Sequence, residues 1–402
     1  MNERDFEIIH RGDPNGNQWI IRLTLPSGRT ILGLATENIY GGDWDLGPTW
    51  NYIVQGDLPF LIDTGRFGMG GRLLEMMKQT DLHPGDLKGI FLTHGHEDHD
   101  GGLPELARDT DASVWVHPLY DLLRCSYPNQ APPVTKEDFS ASCWHCFMPE
   151  TFTRSHCREY HRQRDGLKTN RLEGLHFPLD EAVKLHHLPG HCPDALAYQI
   201  GSEALIVGDT LLPDITPHPS QEAFYPLIQP LMPPEFPPLS GCYGLRAYIR
   251  SLKRLVALSR DFPRMQVLPA HRLFYNDRWG TIELGKRSQE IIEHHLQRCA
   301  SILDILKTGP KTAEEIARAY YQPKLLKGFG IRMAENEIKS HLELLEHSGD
   351  ILWSSEGISS ATGETDFEDY IQRIEADFFE SENLNPFRFP PAQPGHRLGG
   401  QE

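Results

Sequence analysis

Apolar and polar positions alternate in short runs over the first part of the chain. From about Gln18 the runs WIIRLTL, ILGLATENIY, TWNYIVQGD and PFLIDTG read as strands, each bounded by the Gly, Pro, Asn or Asp that hairpins require. The period then changes. RLLEMMKQT (72–80) has helical spacing, and HPGD separates it from the buried-strand run LKGIFLT. After this, GLPELARDT predicts a helix and ASVWVHP another strand. The order is β-rich and then βαβ, which predicts a sheet with helices laid against it.

Residues from about 120 to 180 break the rhythm with Pro, Cys, His, Arg and Trp, and this stretch is read as an insertion lying over something. Strand patterns resume in AVKLHHLPG, ALAYQIG and EALIVGD. A Pro-rich span (213–239) precedes the amphipathic helix YGLRAYIRSLKRLVALSRD, the strand MQVLPAH and the helix SQEIIEHHLQRCASILDIL. KTAEEIARAYY and ENEIKSHLELLEHSGDILW predict the helices and β finish of a winged-helix-like domain over 301–355, and 356–402 reads as an acidic, poorly ordered tail.

Composition narrows the function classes. A length of 402 residues exceeds one compact domain, and 39% hydrophobic residues suffice for a substantial core. The net charge of −17 argues against nonspecific adhesion to nucleic acid or anionic membrane, while leaving room for a local basic groove. MNERDFEIIHRGD lacks a cationic-then-apolar signal pattern, and no apolar run approaches the roughly 18 residues that cross a bilayer. Seven cysteines, odd in number and scattered, read as reduced thiols. The expectation is a cytoplasmic protein with no membrane partner.

The densest chemistry is THGHEDHDGG (93–102), with three histidines and two acids between His94 and His99. It follows the strand run GIFLT and precedes a helix, so it occupies a strand-to-helix loop at the carboxyl end of the sheet, where ligand crevices form. His94 and His96 can point the same way; Asp98 and His99 lie a turn further on. One loop can thus offer two imidazoles to one cation and an imidazole with a carboxylate to a second. Four ligands do not close two sites, so more are expected downstream. Each candidate stands just after a strand-like run: His191 in HHLPGHCPD, Asp209 in ALIVGDTLL and His271 in MQVLPAHR. With 20 histidines in the chain, any one of these could sit at a strand end by chance. All three in the order the site needs are poorly explained that way.

THGHEDHDGG, PGHCPD, VGDTLL and PAH, with LIDTG (61–65) ahead of them, resemble the ordered motifs of the metallo-β-lactamase superfamily of hydrolases over roughly residues 18–300. The resemblance implies an α/β fold, an αββα sandwich of two face-to-face sheets with helices outside, as a catalytic domain over 1–300 carrying the insertion at about 120–180. It also implies His94, His96 and His191 as first-metal ligands, Asp98, His99 and His271 as second-metal ligands, Asp209 as the bridging carboxylate and Asp63 as a support for the loop. PAH stands where PGH is commoner, which leaves the ligand in place. GDTLLPDITPHPS and the C-terminal pattern are similar to the branch holding glyoxalase-II-like hydrolases and LACTB-two-like proteins, among them thioester or lactone hydrolases and endoribonucleases.

The implied chemistry is hydrolysis by a water activated between two divalent cations, with Asp98 and Asp209 accepting a proton and orienting the nucleophile. An all-imidazole first site suits zinc; the carboxylate-richer second admits zinc, iron or manganese. The expected substrate is a small acyl compound, a thioester or lactone, with RNA cleavage as the alternative. A mononuclear iron enzyme of the persulfide-dioxygenase type is a further rival, against which His99 and His271 weigh.

Three other features carry two readings each. Cys143, Cys146, Cys157 and His161 form either a structural zinc knuckle pinning the insertion or a set of free thiols. Arg154, Arg158, Arg162, Arg164, Lys168 and Arg171 either select an anionic substrate or make a solvated helix face. Cys192, beside His191, is expected to pack rather than react. The winged-helix-like segment is expected to dock or to form a homodimer rather than to bind nucleic acid.

Overall fold

The computed structural model describes residues 6–39, 45–124, 158–172, 176–231 and 240–375. The alternating runs fold as a meander: β1 (Glu7–His10), β2 (Ile20–Thr24), β3 (Thr30–Thr36), β4 (Thr49–Val54) and β5 (Phe60–Ile62) pair antiparallel in sequence order. The change of period marks a change of topology. From β5 onward, β6 (Gly89–Phe91), β7 (Ser113–Val116) and β8 (Asn170–Arg171) are added in parallel, completing an eight-stranded sheet. A second sheet holds β9 (Val183–His187), β10 (Leu196–Ile200) and β11 (Ala204–Gly208) antiparallel, with β12 (Gln266–Pro269) parallel to β11.

Strand alternation decides the layers. Trp19, Ile21, Trp50, Tyr52, Phe60 and Phe91 of the first sheet region pack against Leu185, Leu196, Tyr198 and Ile206 of the second, forming one buried cluster between the sheets. The opposite side chains, among them Ile20, Leu32, Ile53, Leu61 and Ile90, pack on Leu73, Met76 and Met77 of helix Gly70–Met77 and on Leu103 and Leu106 of helix Leu103–Asp109. Ala197, Leu205, Val207 and Val267 on the outer face of the second sheet meet the helices Gly244–Asp261 and Leu284–Leu306. Helix, sheet, sheet, helix is the expected sandwich.

The C-terminal residues join that last layer. Short paired strands β13 (Phe274–Tyr275) and β14 (Arg278–Trp279) lead into helix Leu284–Leu306, within which the 300/301 boundary falls. Beyond it, β15 (Lys311–Thr312), β16 (Ile351–Trp353) and β17 (Ile358–Ala361) make a three-stranded sheet in the order β15-β17-β16, with helices Ala313–Tyr320 and Gly330–Ser348. Thr312 caps the first of these helices by accepting from the Glu315 amide, and the Glu315 carboxylate accepts from the Thr312 amide in return. Gly349, at φ 88°, ends the second. Ile316, Ala334, Ile338, Leu342 and Leu345 belong to the same buried cluster as Leu205 and Val267.

One expectation changes. Residues 356–375, expected within the acidic tail, contain β17 and helix Phe367–Arg373, whose Phe367 and Ile371 are buried in that cluster. Acidic residues dominate the outward positions and mask a spaced apolar pair at i and i+4. Residues 376–402 lie outside the described residues. No helix among the described residues is long and apolar enough to cross a membrane.

Candidate metal centre

The site is built at the carboxyl ends of strands from both sheets. β6 is wholly buried and flanked by parallel neighbours, so the chain leaves it at the rim, and residues 93–96 form the loop before helix Glu97–Asp100. Asp63, just after β5, sits at φ 63° in the left-handed region. Its Oδ1 accepts from the Thr93 amide at 2.7 Å, and its Oδ2 accepts from Thr93 Oγ1 at 2.7 Å and meets His99 Nδ1 at 3.0 Å. Asp63 therefore ties the loop to the neighbouring strand and turns His99 so that Nε2 faces away from it.

His191 and His271 are turned in the same manner. His191 Nδ1 donates to the His218 carbonyl at 2.7 Å, and His271 Nδ1 donates to the Pro48 carbonyl at 3.1 Å. The remaining nitrogens converge. His96 Nδ1 lies 3.0 Å from His94 Nε2 and 3.2 Å from His191 Nε2. Tetrahedral zinc with Zn–N of about 2.0–2.1 Å sets its nitrogens about 3.3 Å apart, so these three are spaced for one ion. A second group follows: His271 Nε2 is 3.3 Å from both Asp98 Oδ2 and Asp209 Oδ1, and His99 Nε2 is 3.6 Å from Asp209 Oδ1 and 3.7 Å from Asp98 Oδ1. Asp209 Oδ2 reaches the first group, 3.6 Å from His191 Nε2. All seven residues singled out from the sequence thus meet at one rim, and Asp209 spans the two groups.

The donor set tests whether cations belong here. Among the described residues, His99 Nε2, His271 Nε2 and Asp209 Oδ1 are buried and face one another without a well-formed hydrogen bond, an arrangement that is costly unless something binds between them. Burial, then the nearby imidazoles, holds His94 well below the ordinary histidine range; burial and His191 push His96 down to about 3, and burial lowers His191. These three are neutral at pH 7, the ligating form. Burial opposes charge on His99 and His271, but Asp98 and Asp209 outweigh it and raise both. The carboxyls of Asp98 and Asp209 are correspondingly held below their usual range despite burial. Two carboxylates with protons parked on neighbouring imidazoles is the charge pattern a divalent cation replaces. The residues fit a pair of cations, and among the described residues the groups of donors close enough to hold one all lie here.

Other sequence expectations resolve differently. Cys143, Cys146 and Cys157 lie outside the described residues, as do Arg154 and the side chain of Arg158. His161 is buried, 3.3 Å from Arg164 Nη2. The described basic residues serve the fold: Arg162 pairs with Glu159, Arg171 with Asp121 at 2.7 Å, and buried Arg164 with Asp100 at 3.3 Å. Lys168 is exposed. Cys192 packs, its thiol donating to Asp194 at 2.7 Å and pushed far above the usual thiol range, first by burial.

Sequence reasoning missed two residues at the centre. Asp100, next to His99, accepts from the Tyr120 and Tyr160 hydroxyls as well as Arg164. Asn38 donates to Asp98 Oδ2 at 2.9 Å. Asp100 carried a signal, being a further acid in an already dense run. Asn38 carried none, since it ends a strand run without a motif.

The sequence pattern of the family described as "Metallo-beta-lactamase superfamily" matches residues 44–271. A hydroxyacylglutathione hydrolase, GloC, of Haemophilus influenzae is 29% identical over 153 residues, 38% of this chain and 60% of that protein. An exodeoxyribonuclease, YycJ, of Bacillus anthracis is 37% identical over 73 residues, 18% of this chain and 27% of that protein. The matched segments thus span less than two thirds of either relative. Among solved structures, a metallo-beta-lactamase family protein from Thermus thermophilus is similar with a TM-score of 0.56 at 21% identity, covering 82% of this chain and 98% of that one. A beta-lactamase domain protein from Burkholderia ambifaria gives 0.58 at 18% identity, covering 83% and 91%.

Proposed function

This chain belongs to the metallo-beta-lactamase superfamily, and from that premise we propose that it hydrolyses a thioester or lactone at a centre holding two divalent cations. The observation that carries the reading is the convergence of two donor groups joined by Asp209, with orphaned nitrogens and oxygen facing the same place. His94, His96 and His191 would hold one cation, Asp98, His99 and His271 the other, and Asp209 both. Bound there, such ions lower the pKa of a shared water toward about 7 and polarise the carbonyl under attack.

The chain's own residues do the rest. Asp63 and the Pro48 and His218 carbonyls fix which nitrogen His99, His271 and His191 present. Asp98 and Asp209, which the neighbouring imidazoles hold ionised at neutral pH, would orient the attacking water. Burial of the donors, with Thr93 Oγ1 3.1 Å from His94 Nδ1, strengthens each charge interaction. The preference for a thioester is supported by the similarity to a hydroxyacylglutathione hydrolase. Phosphodiester cleavage is the second reading, favoured by the likeness to an exodeoxyribonuclease and using the same donors. The three-stranded C-terminal segment is read as winged-helix-like and structural, since its apolar face is spent on the second sheet's helices.

The test is a panel of acyl-thioesters, lactones, RNA and single-stranded DNA, with and without chelator, and metal content measured on the same sample. Chelator-sensitive thioester or lactone turnover with two ions per chain is expected. Cleavage confined to nucleic acid would replace the substrate class and keep the centre.

A further inference from the structure

Asn38 stands against the second donor group, where neither the motifs nor the family pattern assigns it a part. It lies two residues beyond β3 and is 5% exposed. Its Nδ2 donates to Asp98 Oδ2 at 2.9 Å, while its Oδ1 is buried without a hydrogen-bond partner among the described residues. The amide cannot be turned over, because a carbonyl oxygen would then face a carboxylate oxygen at that distance. The orphaned Oδ1 is therefore the cost of presenting Nδ2 to Asp98, and buried groups left in that state call for a functional explanation.

The contact defines how Asp98 is aimed. Its Oδ2 is held from one side by Asn38 and lies 3.3 Å from His271 Nε2 on the other, which leaves Oδ1 toward His99 Nε2 at 3.7 Å. Both neighbours of Asn38 are held, the Ile39 carbonyl accepting from Arg66 and the Glu37 side-chain carboxylate accepting from Gln18 Nε2 at 2.9 Å. The first donor group is steadied by different atoms, Thr93 Oγ1 beside His94 and the His218 carbonyl beneath His191.

We propose that Asn38 is the positioning residue of the second cation site, fixing the Asp98 carboxylate so that Asp98, His99 and His271 form a preset donor group. The inference rests on reading those three as ligands. A carboxylate is free to rotate, and one fixed beforehand loses less on binding; partners that hydrogen-bond a ligand are ordinarily worth about 10–100-fold in affinity. The effect is confined to one of the two ions, which separates positioning from general support of the fold.

The experiment titrates the metal-free, full-length chain with zinc by calorimetry and with cobalt by visible absorption, for the wild type, Asn38→Leu and Asn38→Ala. Leucine keeps the volume and removes the donor; alanine guards against a leucine that does not fit. The wild type should take up two ions. Both variants should bind the first with wild-type affinity, which also shows that they fold, and the second about 10–100-fold more weakly. Two ions bound by a variant with unchanged affinities, or both ions weakened equally, would overturn the role of Asn38 while leaving the two-ion reading standing. A wild type that binds fewer than two ions would overturn the reading beneath it.

Discussion

At the scale of single residues, His99, His191, His271 and Asp98 are each aimed by a second group. Asp63 makes the case: one carboxylate accepts from the Thr93 amide and hydroxyl and also orients His99. Asp63→Asn should therefore lower affinity for the second cation by about 10–100-fold, read by the same titration, with little change in the far-ultraviolet spectrum. His96→Ala and Asp209→Ala act on donors directly. Either should reduce hydrolysis to the level of chelator-treated wild type, and full turnover in either variant would refute the mechanism. The candidate ligand residues were legible in the sequence because each stands next to a strand run and four of them fall within the short stretch 94–99. Asn38 was not, because its partner lies 60 positions away and an isolated Asn after a strand has no periodic signature.

At the scale of elements, helix Arg158–Asp165 shows how a charge pattern misleads. Its arginines invite a substrate-binding reading, yet Arg164 is fully buried against Asp100 and lies with its guanidinium 4.9 Å from the Tyr160 ring centroid. The pair anchors the returning end of the insertion to the helix that carries Asp98 and His99. Removing one member of a buried pair costs about 3–5 kcal/mol because a charge is left unmatched. Arg164→Met should accordingly lower the melting temperature by several degrees, whereas Arg162→Met, at an exposed pair, should leave it nearly unchanged. Sequence alone could not separate these two arginines. They lie on one short helix and differ only in which face meets the first sheet's helical layer.

At the scale of the whole molecule, buried neutral histidines set the acid limit. Burial pushes His187 and His218 down to about 3 and His186 to about 4, against about 6.5 in an unfolded chain. Their folded values are depressed, so they stabilise the protein above pH 6.5. That contribution is lost as the pH falls toward 3–4, since only the unfolded state takes up the protons. Each forfeits up to about 1.4 kcal/mol per pH unit over that window. The melting temperature should thus fall steadily from pH 6.5 to 4.5, and a flat profile would refute the burial argument. A sheet with helices laid against it was legible from run lengths and periods, and the αββα layering from the motifs that resemble the superfamily's. The merging of the C-terminal helices into the outer layer was not, because an amphipathic stripe shows that a face is covered without showing by what.

The donors are divided between the sheets: His94, His96, Asp98 and His99 follow β6 of the first, while His191, Asp209 and His271 follow strands of the second. Any cation they grip is consequently a rivet through the sandwich, fastening two layers otherwise held by apolar packing and by hydrogen bonds such as those from the Tyr198 hydroxyl to the Leu92 carbonyl and from the Tyr52 hydroxyl to the Pro269 carbonyl. Pulling it out should let the layers breathe at that end, quickening deuterium uptake at Leu92–Thr93 and Gly208–Thr210 together while the far ends stay protected.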